Sequence, residues 1–298
     1  MAVITRVTQA TVQRSTLANL QMNLATASKL QAQMSSGKKI QVPSDDPSGA
    51  QDMLRLRADQ RQNAQLQRNT ADGDAWLSTV DTALTSSLSI VRATRDLVVR
   101  AGSGALNAES REALAAEVEA LRDELLAQAN TTYGGRSVFA GTSSAPQAFG
   151  ATTPYAYQGV AGASVTRQVG PETTVRVDGD GQSVFGDTGT GTVFELFDTI
   201  AASMRAGTDL TAEQDALDVR MQGMLREVAS VGARHNHVLN AKSTLQDGAL
   251  TLTTQLGAIE DVDLAEIILQ VQQQEVAYQG ALAATSKVLQ PTLLDFLR

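Results

Sequence analysis

Apolar residues recur three and four apart over most of this chain, in runs punctuated by glycine, proline and helix-capping residues. The first stripe is Val3, Val7, Ala10, Leu17, Leu20, Leu24, Ala27, Leu30 and Met34. It predicts a helix that stops at Ser35-Ser36-Gly37, because Gly37 can take the left-handed conformation that ends a helix. Asp46 before Pro47 then reads as an N-cap followed by a first-turn proline, whose missing N–H has no helical partner to lose. The helix it starts carries Leu77, Val80, Leu84, Leu88, Val91 and Val98 and ends at Gly102-Ser103-Gly104. Asn107 caps a third helix, with Leu114, Val118, Leu121 and Leu125 on one side, which is expected to stop near Tyr133-Gly134-Gly135.

From Arg136 to about Gly191 the helical period is lost. Glycines and Pro146, Pro154 and Pro171 break the segment, and alternation in 165–169 and 174–177 predicts short strands. Helix returns at Val193-Phe-Glu-Leu-Phe197 and runs long from Leu210. Positions 217, 221, 224, 228, 231, 235, 238, 242, 245, 249, 252, 256 and 259 form one seam, apolar except at His235 and Lys242. A step of five from Ile259 to Leu264 resets the phase and predicts a separate C-terminal helix carrying Leu264, Ile268, Val271, Tyr278, Leu282 and Leu289.

These elements predict a mainly α fold: an elongated helical rod with terminal coiled-coil arms and a small β-rich insert. The expected domains are 1–40 with 260–298 as the terminal assembly domain, 41–135 with 193–259 as the helical rod, and 136–192 as the insert. Three consequences follow. Residues 142–190 should be replaceable by a linker for little more than loop-closure entropy. Protease should cut first near 34–39 and beyond Glu260. The two end stripes should pair only on assembly.

Composition sharpens the class. In 298 residues, 42% hydrophobic but only 4% aromatic, long helical packing is favoured over a compact enzyme core. The net charge of -8, with 24 Lys and Arg scattered among 32 acids, disfavours a phosphate backbone as partner. Absence of cysteine removes disulfides, thiolate catalysis and cysteine zinc sites. The opening residues carry no basic region followed by an apolar run, so export is expected to proceed without a cleaved Sec-type signal, and no membrane insertion is expected.

Candidate chemistry is sparse: no catalytic, cofactor or metal site is expected. Asp178-Gly-Asp180-Gly-Gln182 begins like a calcium loop, but Ser183 replaces the turn glycine and no glutamate closes it, so it reads as a β-turn. His235 and His237 lie two apart on a helix and cannot share a metal, leaving His235 as a polar interruption of the seam and Lys242 as a snorkelling or ion-paired one. Asp45 and Asp46, and Glu260, Asp261 and Asp263, read as helix-start carboxylates. Gln272-Gln273-Gln274 reads as a solvated face.

Several of these residues resemble the flagellin family of bacterial axial proteins. Ser35-Ser36-Gly37-Lys38-Lys39-Ile40 with Ser44-Asp45-Asp46-Pro47-Ser48-Gly49-Ala50 is similar to the family's turn between its terminal and next domains. Val231-Gly-Ala-Arg234 with Asn236, Ile259-Glu-Asp-Val-Asp263 and the closing Leu293-Leu294-Asp-Phe-Leu297-Arg298 are similar to its descending helix and C-terminal arm. Within the family, Gly135-Arg136-Ser137-Val138-Phe139-Ala140-Gly141, Phe149 and Val193-Phe194-Glu195-Leu196-Phe197-Asp198 resemble members at the boundary between hook and filament. Ala145-Pro146-Gln147-Ala148 and the histidines flanking Asn236 depart from that pattern.

The resemblance implies an extracellular structural role in the flagellum, type III export with a chaperone at the C-terminal arm, self-assembly, and contact with hook-associated protein 1 and flagellin. The end stripes place the expected interface at Leu17, Leu20, Leu24, Leu30, Leu264, Ile268, Val271, Tyr278, Leu282 and Leu289, and the resemblance implies a boundary turn at Gly37, Asp45, Asp46 and Pro47. A short filament flagellin is the alternative within the family. A signalling coiled coil is the alternative outside it, and such proteins place a tight hairpin at mid-seam where this chain has a glycine-rich insert.

Overall fold

The structure is a computed structural model that describes residues 9–102, 107–187, 189 and 191–288. Among these, helices dominate: α1 Gln9–Ser36, α2 Pro47–Ala101, α3 Ala108–Ala129, a short α4 Gly181–Phe185, α5 Val193–Ala206, α6 Thr211–Glu260 and α7 Leu264–Val288. The strands are three antiparallel pairs: β1 Thr132–Tyr133 with β2 Arg136–Ser137, β3 Thr166–Gln168 with β4 Thr174–Arg176, and β5 Gly186–Asp187 with β6 Gly191–Thr192. In the longest pair Arg167 faces Val175 across the register, so Val175 turns inward between exposed Thr174 and half-buried Arg176. The mainly α class and the predicted capping residues match the sequence reading. Asn107 accepts from the Ser110 N–H, and Thr192 and Glu195 form a reciprocal capping box on α5.

The chain packs as two units, residues 1–61 with 249–298 and residues 62–248, with α2 and α6 contributing to both. In the second unit α6 buries Leu217, Met224, Val231 and Val238 at seven-residue intervals, and α2 answers with Leu77, Val80, Leu84, Val91 and Val98. The polar interruptions of the seam share one partner: Asp74 on α2 meets His235 Nε2 at 2.7 Å and Lys242 Nζ at 2.9 Å. Those two bonds hold the Asp74 carboxyl below its ordinary range.

Residues 142–190 are not separable from this core. Phe139, Phe149, Phe185 and Phe194 pack ring against ring at 5.3–5.8 Å and are fully buried in the same cluster as the α2 and α6 seams. The Asn130 amide at the end of α3 ties the segment down, donating to the Phe149 carbonyl and accepting from the Ala148 and Phe149 N–H groups. Gly179 and Gly181 are needed here, since a Cβ would come within 2.6 and 2.5 Å of Phe139 atoms. A linker would therefore remove core aromatics as well as a loop, so the deletion is expected to cost core packing and not loop closure alone. The few aromatic residues of the chain are concentrated where the helical period fails.

Asp178 is fully buried and clamps the β3–β4 hairpin, accepting from the Val165 N–H and from Arg176, while Asp180 caps α4. Both carboxylates of the calcium-like stretch thus have structural partners. Among the described residues no cluster of three or more His, Asp or Glu side chains is placed to hold a metal. No described helix is long and apolar enough to cross a membrane.

Candidate assembly interface

The first unit is built on α1 and α7, which pack against each other. The covered side of α7 runs Ile267, Val271, Gln274, Tyr278, Ala281 and Thr285, alternating four and three; that of α1 runs Leu20, Asn23, Ala27, Leu30 and Gln33. Gln274 Nε2 donates to the Asn23 carbonyl at 3.0 Å, so the last residue of the glutamine run faces the partner helix while Gln272 and Gln273 remain in solvent. The arms consequently pair within one chain, and the expectation that they pair only on assembly is corrected. Frame is the physical reason. The true α7 seam includes two polar positions and a small one, Gln274, Thr285 and Ala281, which a search for large apolar residues passes over.

The proposed interface residues therefore divide. Leu20, Leu30, Val271 and Tyr278 are half-buried on the intrachain seam, whereas Leu17, Leu24, Leu264, Ile268 and Leu282 lie outside it and are 45–58% exposed. Leu289 lies outside the described residues. Met22 on α1 and Leu269 and Val276 on α7 add exposed apolar surface that the sequence stripe did not include. Isolated exposed leucines need no explanation, but a run of them flanking a helix pair is surface available for further burial.

The boundary turn is closed rather than loose. Gly37, at φ +68°, donates to the Gln33 carbonyl and ends α1. Lys39 N–H donates to the Glu260 carbonyl at 2.7 Å and Val262 N–H to the Gly37 carbonyl at 3.1 Å, forming a small backbone ladder between the two loops. Gln33 Nε2 adds a bond to the Lys39 carbonyl. Such a ladder ties down the backbone at 37–39 and 260–262, the segments where the phase reset predicts early cleavage, and is expected to slow it there.

Glu260 is the electrostatic centre of this turn, and it sits at the C-terminal end of α6, not at a helix start. A carboxylate there opposes the helix dipole. Two cations offset that: Lys38 Nζ pairs with Glu260 Oε1, and Arg57 Nη2 reaches the same oxygen at 2.8 Å. The Lys38 bond is the larger influence holding this buried carboxyl below its ordinary range, with Arg57 adding to it against the cost of burial. Asp261 lies in the bridge to Lys38, and Asp263 alone of the cluster caps α7, accepting from the Ala265 N–H.

Asp45 and Asp46 organise the other side. Lys29 Nζ lies 2.8 Å from Asp45, whose second oxygen accepts from the Val42 and Gln41 N–H groups; together they bring its carboxyl down to about 2. Asp46 accepts from the Ser48 and Gly49 N–H groups and Pro47 opens α2, as the sequence predicts. A Cβ on Gly49 would fall 2.6 Å from Asp46 Oδ2 and Ile40 Cδ1, so the glycine admits the cap.

Comparison with known proteins agrees with this geometry. Residues 7–144 match the bacterial flagellin N-terminal helical region. Flagellar hook-associated protein 3 of Salmonella typhimurium is 29% identical over 278 residues, 85% of this chain and 87% of that protein. Flagellin of Bacillus subtilis is 25% identical over 309 residues, covering 95% and 97% respectively. A solved flagellar hook-associated protein from Vibrio parahaemolyticus shares the fold with a TM-score of 0.67 at 24% identity, across 73% of this chain and all of that one. With the N-terminal helical region matched and both boundary motifs in place, this chain is similar to flagellins and flagellar hook-associated proteins almost from end to end.

Proposed function

We propose that this protein is a structural subunit of the bacterial flagellum that joins hook to filament, building its contacts through the outward faces of the α1–α7 pair. The observation that carries the reading is the similarity to hook-associated protein 3 over 85% of the chain. The exposed Leu17, Leu24, Leu264, Ile268 and Leu282 fit it, because they supply apolar surface that copies of the chain and its neighbours can bury. On this reading the partners are a second copy, hook-associated protein 1, flagellin and an export chaperone at the C-terminal arm. The work is mechanical, with no enzymatic step, and the location is the extracellular flagellum.

A short filament flagellin is the second reading, favoured by the end-to-end match to the Bacillus subtilis protein. Immunogold labelling of intact flagella separates the two. Label confined to the hook–filament boundary is the expected result; label along the shaft would assign the chain to the filament.

A further inference from the structure

Beside the boundary turn, within the first unit, a cavity of about 160 Å³ opens between residues 40–43 and the first turns of α2, lined by Ile40, Val42, Pro43, Met53, Leu54 and Arg57. Its floor is closed by buried Ile40 and Met53, but on its rim Val42 is 50% and Leu54 66% exposed. The loop wall is fixed by the Asp45 bonds to Lys29, Gln41 and Val42, so the opening is part of the fold. It is smaller than the roughly 300 Å³ or more of a small-molecule site and close to the size of an apolar cavity that takes a single ring. One branched apolar side chain fits it.

Charge marks the same face. Ala50, Leu54, Arg57 and Arg61 follow at spacings of four, three and four and share one side of α2, while Asp52 and Asp59 fall on the other. Arg57 is committed to Glu260; Arg61 is exposed and has no ion-pair partner among the described residues. On α7 the outward stripe Leu264, Ile268, Glu275 and Leu282 holds one exposed carboxylate, likewise unpaired among the described residues. Leu54 to Arg61 and Glu275 to Leu282 are both seven-residue steps, about 10 Å at 1.5 Å per residue. Antiparallel helices bring both pairs into register at once. Within one chain α2 already runs antiparallel to α7: α2 passes from Lys29 at Asp45 to Glu260 at Arg57, and α7 leaves that turn towards Asn23. The chain's own Leu282 cannot fill the pocket, because α7 carries it about 27 Å along the helix from Leu264, away from the turn.

We propose that this pocket seats Leu282 of a second copy of the chain, whose Glu275 then meets Arg61, a contact that rests on the reading that copies assemble through the outward face of α7. The sequence holds no cysteine, so single-cysteine variants report one contact each. In cells without another copy of the gene, Leu54→Cys and Leu282→Cys chains are expressed together, and isolated flagella are oxidised with copper phenanthroline and run on a non-reducing gel. A disulfide-linked dimer should form in the mixture and in neither variant alone. It should be lost when Glu275→Arg is added to the Leu282→Cys chain, and should return when Arg61→Glu is added to the Leu54→Cys chain. Both variants present in the flagella with no dimer beyond that of either alone would overturn the proposal and leave the flagellar reading standing, as would a stronger dimer from Leu54→Cys with Ile268→Cys. A wild-type chain missing from isolated flagella would overturn both. Where the cysteine variants fail to assemble, charge reversal in the otherwise native chain decides: Glu275→Arg and Arg61→Glu should each lower the amount of chain in the flagella and together restore it. Amounts unchanged by either reversal, or no recovery in the pair, would overturn the proposal.

Discussion

In residues 62–248 the seam of α6 from Leu217 to Val238 is buried by the same chain, whereas on α1 and α7 leucines of equal size, Leu17, Leu24, Leu264 and Leu282, remain in solvent. Both regions carry the same three-and-four spacing. The difference is in what covers it: α6 meets α2, the phenylalanine cluster and the β3–β4 hairpin, while each terminal helix meets one partner helix and keeps apolar positions to either side. One region is finished by folding. The other is finished on one side only, and the proposed assembly uses the remainder.

The largest effect should come from the finished region. Phe149→Ala removes a fully buried ring that contacts Phe185, Phe194 and Tyr157, and should cost about 3–5 kcal/mol. Replacing 142–190 with a linker should abolish the cooperative melt. Urea unfolding followed by the fluorescence of Trp76, the single tryptophan and itself in this core, measures both. A deletion that melts like the parent would show that the helices bury their own seams.

Next in size is Glu260→Ala, which leaves Lys38 and Arg57 beside an empty helix end. A loss of roughly 1.5–3 kcal/mol is expected, the range for hydrogen bonds to charged groups, and nearer its lower end because the cations left behind are 49% and 41% exposed and regain water. Its local readout is faster tryptic cleavage after Lys38 and Lys39, and unchanged cleavage there would show that the backbone ladder holds alone. Acid should mimic the substitution. The folded carboxyl is held below its unfolded value, so its stabilisation is present above about pH 4.5 and is lost as pH falls through the folded pKa. The parent should therefore gain sensitivity at those sites below about pH 4.5, tested with an acid-active protease, and Glu260→Gln should show little further change.

Asp74→Asn should have a smaller effect, roughly 1 kcal/mol, because it weakens two half-exposed partners without emptying the seam. Single-point melts compared with His235→Gln would check it; full additivity of the two substitutions would show that the bond contributes nothing.

How much of this was readable in advance differs between the same two regions. Caps and breaks were legible at Gly37, Asp46, Pro47 and Asn107 because each acts through its own backbone. The α6 seam was legible because a long strict period leaves one face to bury. Three things were not. The core role of Phe139, Phe149 and Phe185 depends on contacts across long sequence separations, which periodicity does not record. Glu260 was misread because helix-start and helix-end carboxylates look alike until the cations opposite are known. The rotation of α7 was missed because Gln274 serves on the seam by bonding across to Asn23, while Thr285 can be buried there with its hydroxyl satisfied on the Ala281 carbonyl of its own helix.

The smallest effect on the folded chain, and the most direct test of the account, is a pair of substitutions a few residues apart on α7. Leu282→Asp changes an outward side chain and should leave monomer stability within about 0.5 kcal/mol, while Tyr278→Asp, on the intrachain seam, should loosen the α1–α7 pair measurably. In cells that depend on this protein, Leu282→Asp should be exported and folded yet shed flagellin into the medium. Normal filaments with Leu282→Asp would contradict assembly through the outward face, and a collapsed Leu282→Asp monomer would show that this face belongs to the fold.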